Sequence, residues 1–177
     1  MGEHMRWAEL EAAAPELAAR GRSLIERLGF VFVGTIRRDG SPRISPVEAH
    51  LVGGQLMLVM IPGTRKARDV GRDSRVVLQS PITDAADPGH ELKLWGRAVE
   101  VDDRVQREAT ADQIETVSGW RPDPSWSFLA LEIESAVLME WRQGEMLLTR
   151  WDRTDGLQPP ERRRLDPSGG RYASIGA

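Results

Sequence analysis

Apolar residues recur at every third or fourth position in the first thirty residues. Trp7, Leu10, Ala14, Leu17, Leu24, Ile25 and Leu28 fall on one stripe of a helix. Pro15 suits a first helical turn and not a helix interior. The pattern therefore predicts a short leading turn, then a helix over about 15–28 with Gly29 as its stop. From Phe30 the texture changes. FVFVGTI (30–36) is β-branched and aromatic, and Arg38-Asp39-Gly40-Ser41 is a strong hairpin signal. PRISPVEAHLV (42–52), a Gly53-Gly54 turn and QLMLVMI (55–61) then complete a three-stranded antiparallel meander.

Pro62-Gly63 ends the third strand, and Thr64 is an N-cap for a short charged helix, RKARDVGRD (65–73). A strand RVVLQS (75–80), a loop from Pro81 to His90 that holds Asp84 and Asp87, and a strand ELKLWGRAVEV (91–101) follow, with Gly96 marking a bulge. Asp102 and Asp103 cap a helix to about Val117. After a Pro/Trp-rich loop (119–127), FLALEIE (128–134), AVLMEWR (136–142) and EMLLTRW (145–151) read as strands, the last pairing back after a Gln143-Gly144 turn. Beyond Asp152 the chain is polar, with Arg162-Arg163-Arg164 and Gly169-Gly170, and reads as a surface tail. The expected division is thus a barrel domain over 1–152 and a polar tail over 153–177. About seven short strands, mostly in hairpins, predict a mainly β (α+β) barrel with an N-terminal helix and short inserted helices. The strand–helix alternation of a Rossmann domain is missing.

Composition narrows the chemistry. A chain of 177 residues is sized for one domain. It has no cysteine, which excludes disulfides, thiolate metal sites and a cysteine nucleophile. His4, His50 and His90 lack the spacing of a local zinc motif, so no metal site is expected. A formal net charge of −3 argues against a nucleic-acid partner. No apolar run is long enough to predict a membrane span, and the first residues lack the order of a secretory signal, so a cytoplasmic setting is expected. Of 24 basic residues only Lys66 and Lys93 are lysine, so a single arginine carries little information and a lysine carries more.

Two segments could bind an anion. Helix N-termini favour phosphate, and Thr64, Arg65 and Lys66 add a hydroxyl, a guanidinium and an ammonium at one such end. The same residues also suit a solvated face on a short charged helix. In the other segment Arg43 and Ser45 share one face of their strand and Ile44 takes the other. Were Arg43 on the inner barrel face it would need an anion; were it outside it would be an ordinary solvated residue. No G-x-S-x-G elbow is present, and neither His50 nor His90 has an identifiable serine partner. Asp39 sits in a turn for backbone reasons. Most of the six tryptophans are expected in the core or an interface.

Residues 34–80 resemble the flavin-binding half of the pyridoxamine 5′-phosphate oxidase-like split barrels. The resemblance rests on Gly63-Thr64-Arg65-Lys66 opening the short helix, Arg75-Val76-Val77-Leu78 as the strand after it, Arg43-Ile44-Ser45-Pro46-Val47-Glu48 as the flavin strand, and Val59-Met60-Ile61 as its neighbour. It implies a split β-barrel of about six to seven antiparallel strands that binds FMN in a homodimer, with the flavin sites at the interface and a small-molecule substrate. In that case Arg65 and Lys66 hold the phosphate and Thr64 adds a hydrogen bond. Arg43 reaches the phosphate or ribityl chain, and the backbone at Ile44, Ser45, Met60 and Ile61 borders the ring. The expected function is a flavin-dependent oxidoreductase with no assigned protein acid or base. A deazaflavin coenzyme in place of FMN, as in an actinobacterial branch, and a non-catalytic flavin- or heme-binding module are the alternatives. Glu48 stands where the oxidases have lysine, Glu91 where they have glutamine, and Thr149 and Trp151 where they bind the vitamin's phosphate. These departures point away from vitamin B6 as substrate.

Overall fold

The computed structural model describes residues 5–83, 89–142, 144–165 and 172–174. Asp84, Asp87, Gln143, Gly169, Gly170 and His4, each used in the sequence expectations, lie outside them. In chain order the elements are α1 (Trp7–Ala13), α2 (Pro15–Leu28), β1 (Phe30–Ile36), β2 (Pro42–Val52), β3 (Gln55–Met60), α3 (Arg65–Arg72), β4 (Arg75–Gln79) and β5 (His90–Glu100). There follow α4 (Arg104–Ser118), β6 (Ser127–Arg142), β7 (Glu145–Asp152), β8 (Gly156–Leu157), β9 (Glu161–Leu165) and β10 (Tyr172–Ser174). Pro15 opens α2 at its first position, and Gly29 closes it in the left-handed conformation, φ 68°.

Six strands close on themselves in the order β6-β3-β2-β1-β4-β5, with β5 returning to β6. Every pairing is antiparallel. The architecture is a split β-barrel. The barrel interior is filled by alternate residues, among them Val31, Val33, Leu56, Leu58, Met60, Leu78, Leu94 and Leu131, and α1 and α2 add Trp7, Leu10 and Ile25 to the same core. A second cluster lies outside, where α4 lays Ala111 and Ile114 over Met57, Val59 and Phe128.

Two differences from the sequence expectation have plain causes. The two strands expected on either side of Ser135 are one, β6, sixteen residues long. Trp95 faces Ser135 while Gly96 faces Ile133, so Glu134 is an extra residue that bends the strand without ending it. That irregularity falls at Gly96, where the bulge was expected. The other difference concerns the polar C-terminal stretch, where β9 lies along the free edge of β7 and β10 along β9. β9 contributes no apolar core pattern. It is held to β7 by main-chain bonding and by two ion pairs across the strands, Arg150 to Glu161 Oε2 at 2.7 Å and Arg164 to Glu145.

Candidate functional site

The geometry of interest begins where β3 turns into α3. Gly63, between Pro62 and Thr64, has φ 75°, a conformation that lets the chain reverse at once. Thr64 then caps α3. Its hydroxyl donates to the Ile61 carbonyl at 2.8 Å and accepts from the Ala67 amide at 3.4 Å, so the start of the helix is tied to the end of the strand.

Two further bonds lay α3 across the middle of β2. Lys66 Nζ donates to the Pro46 carbonyl at 2.9 Å, and Arg43 Nε donates to Asp69 Oδ2 at 2.6 Å. The two segments singled out in the sequence, 43–45 and 64–66, are therefore neighbours. Arg43 lies opposite Thr35 and Ser45 opposite Val33, so both face the barrel interior at its end. There Arg43 meets an anion supplied by the chain itself. Asp69 is 4% exposed and also accepts from Thr35 Oγ1 at 3.2 Å and from Arg72 at 3.2 Å. The Arg43 guanidinium holds the Asp69 carboxyl below its usual range, and burial opposes that shift only in part.

The other candidates divide between core and surface. Met60 packs in the main core, whereas Ile44 on the outer face of β2 is 74% exposed and Ile61 is 49% exposed. Arg65 and Lys66 do not share surroundings. Arg65 lines an open cleft with Arg37, Arg38, Arg43 and Arg68, while Lys66 is drawn to Pro46 and Glu48. Glu48 accepts from Trp120 Nε1 at 3.2 Å. Burial raises the Glu48 carboxyl and lowers the Lys66 ammonium, and each partly offsets the other's shift.

His50 lies one face-repeat along β2 from Glu48, is 7% exposed, and its Nε2 has no hydrogen-bond partner among the described residues. Burial lowers its pKa from the ordinary 6.5. The sign follows directly. Below about pH 6.5 the unfolded chain takes a proton that the folded chain still refuses, so the unfolded state binds more protons and stability is lost as the pH is lowered. Asp69, also lowered, contributes stability that is present above its ordinary 3.8 and is lost as the pH falls below that value. The melting temperature is expected to drop between about pH 7.5 and about pH 5.5, and to drop less in His50→Leu. Equal drops in both proteins would remove His50 as the cause.

Sequence reasoning missed Asp69 as the partner of Arg43 and Trp120 as the partner of Glu48. For Asp69 the signal was its place beside Val70, the apolar residue that α3 buries. For Trp120 there was none.

The closed barrel, with α3 strapped across β2 at the exit of β3, defines a split-barrel protein. A family model described as pyridoxamine 5′-phosphate oxidase matches residues 17–139, and the chain belongs to that family. Comparison with curated proteins gives no match. Among solved structures, a Clostridium acetobutylicum protein related to general stress protein 26 of B. subtilis (pyridoxinephosphate oxidase family) superposes with a TM-score of 0.56 at 21% identity, covering 73% of this chain and 91% of its own. PhzG from Burkholderia lata 383, in complex with tetrahydrophenazine-1-carboxylic acid, gives 0.56 at 11% identity, covering 97% and 96%. An F420 reductase gives 0.52 at 18% identity, covering 65% and 94%. At these identities the likeness is one of fold. Among the described residues no helix is long and apolar enough to cross a membrane.

Proposed function

We propose that the protein is a flavin-binding oxidoreductase that takes FMN at the β3–α3 junction. The observation that carries this reading is the first turn of α3. Arg65 is exposed there with no side-chain partner among the described residues, beside the fixed Thr64 cap and the exposed Ile61. Free amides at a helix start, a hydroxyl and a guanidinium form a donor set that fits a phosphate dianion. In this reading Arg65 and Lys66 hold the phosphate and Thr64 adds a hydrogen bond. Lys66 does so by leaving the Pro46 carbonyl, while Glu48 remains as its counter-charge. Backbone at Ile44, Ser45, Met60 and Ile61 borders the ring. Arg43 holds α3 in place through Asp69 and presents its guanidinium to the cleft. Bound flavin would supply the redox centre, and the side chains named here bind and orient it.

A second copy of the chain supplies the other wall of the site. The strand register sets Ile44, Gly34, Val77 and Trp95 in one row on the outer face, where Ile44 and Trp95 are exposed, and Phe32 stands exposed in the next row. The substrate is a small molecule other than vitamin B6 phosphate. Trp151, at one of the positions where the oxidases bind that phosphate, is packed into the main core. The likeness to an F420 reductase supports a deazaflavin as the alternative coenzyme.

Purified protein is expected to be yellow or to quench FMN fluorescence on titration, with a dimer mass in light scattering. Arg65→Ala/Lys66→Ala is expected to weaken FMN by about tenfold to a hundredfold, the loss of one or two charge-assisted bonds. Binding of deazaflavin but not FMN would select the alternative, and bound flavin that no donor reduces would select a non-catalytic module. Failure to bind either coenzyme would remove the reading.

A further inference from the structure

The β1–β2 hairpin carries Arg37 and Arg38, and α3 carries Arg65, Arg68 and Arg72. With Arg43 they line a cleft of about 710 Å³ whose lining includes two carboxylates, Asp39 and Asp69. Six guanidinium groups less two carboxylates leave four positive charges in one place, on a chain whose formal net charge is −3. Both carboxylates are already engaged. Asp69 holds Arg43 and Arg72, and Asp39 accepts from the Ser41 hydroxyl at 2.6 Å and the Ser41 amide at 3.0 Å.

The side chains of Arg37, Arg38, Arg65 and Arg68 make no hydrogen bond or ion pair among the described residues. Elsewhere Arg22, Arg75, Arg107, Arg121 and Arg150 each sit on a carboxylate, while other arginines unpaired among the described residues, such as Arg27, Arg104 and Arg153, do not gather in this cleft. An arginine-rich composition explains the number of guanidinium groups and not the convergence of six of them on one cleft. Asp39 attracts Arg37, but like charges held together in excess of their counter-charge repel, and an anion between them removes that cost. The planar guanidinium fork matches phosphate oxygens in pairs. One phosphate brings about 1.5 to 2 negative charges and leaves half of the cleft unmatched.

We propose that this cleft binds an oligophosphate, two or three linked phosphates, between Arg37 and Arg38 on one wall and Arg65 and Arg68 on the other. The cleft shares Arg65 and Arg43 with the flavin reading but does not rest on it, since Arg37, Arg38 and Arg68 lie outside the residues assigned to FMN. No aromatic side chain lines the cleft, so it recognises the phosphate chain and not a base. Free and nucleotide-borne oligophosphates therefore bind alike.

Isothermal titration of the full chain with orthophosphate, diphosphate, triphosphate, ADP and ATP tests this. Triphosphate is expected to bind at least about tenfold more tightly than orthophosphate, with ATP close to triphosphate, and affinity is expected to fall steeply between about 50 and about 200 mM salt. Arg37→Ala/Arg38→Ala, on an exposed turn, is expected to weaken triphosphate at least about tenfold while FMN titration stays unchanged. Arg68→Gln gives a second, independent loss should the hairpin variant fold poorly. Absence of saturable di- or triphosphate binding, or binding untouched by both variants, overturns the proposal. So does an oligonucleotide that binds more tightly than ATP. Triphosphate binding by a protein that takes up no flavin leaves this inference standing and removes the flavin reading.

Discussion

Gly96→Ala is expected to lower the unfolding free energy by about 3–4 kcal/mol, the range reached when a core position is overfilled with no way to relax. A Cβ at Gly96 would lie 2.0 Å from the Glu132 carbonyl oxygen, 3.0 Å from its carbon and 3.2 Å from the Ile133 Cα. All three are main-chain atoms of β6, so no side-chain rotation relieves the clash, and β5 and β6 must move apart. Their pairing runs from His90 opposite Glu140 to Glu100 opposite Leu129 and is the seam that closes the barrel. Gly71→Ala is the control. It lies inside α3 with nothing within 4 Å of an added Cβ, and is expected to stabilise by about 0.5–1 kcal/mol. Urea denaturation of both variants measures the contrast. A Gly96→Ala midpoint equal to that of the parent would mean that the strands do not meet at this register.

Asp69→Ala is expected to cost about 2–4 kcal/mol and to weaken FMN with it. The substitution leaves Thr35 buried without its acceptor and the Arg43 side chain, 18% exposed, without its counter-charge. Breaking one side of a buried pair costs more than the pair contributes, because the remaining charge is left desolvated; the partial exposure of Arg43 moderates the loss. The double variant Arg43→Met/Asp69→Leu is therefore expected to be more stable than Asp69→Leu alone, a departure from additivity that a thermodynamic cycle closed by Arg43→Met reads directly. Flavin affinity should stay low in the double variant, since α3 has lost its Arg43–Asp69 tie to β2 in both and keeps only that of Lys66 to Pro46. Simple addition of the two single losses would show that the pair does not anchor the helix.

Much of the barrel was written in local patterns. Alternation of apolar residues and the glycine turns placed β1 and β2 at their observed limits and β3 and β4 within one residue of theirs. Local pattern failed where a neighbour decides the outcome. β6 continues through Ser135 because β5 accommodates an extra residue, and β9 is a strand because β7 has a free edge. The site was legible to a similar depth. The segments 43–45 and 64–66 could be picked out, but both faces of β2 mix polar and apolar residues, so the inward turn of Arg43 depended on Asp69, far along the chain. Arg65 and Lys66 read as one cationic pair because they are adjacent in sequence. Successive helical residues point in different directions, and these two meet different surroundings.

The length of β6 also bears on how the chain comes to be folded during synthesis. The meander β1–β3 and the β4–β5 hairpin are made first, and both await β6, which pairs Met57 with Ala130 on one side and Val99 with Ala130 on the other. Until Ser127 and the residues after it leave the ribosome, β3 and β5 present bare edges, and β3 is the apolar run QLMLVM. Unpaired apolar edges recruit other chains. A nascent chain stalled short of residue 127 is therefore a seed for aggregation and a client for chaperones, and the single strand that completes the barrel is also the one that ends this exposure.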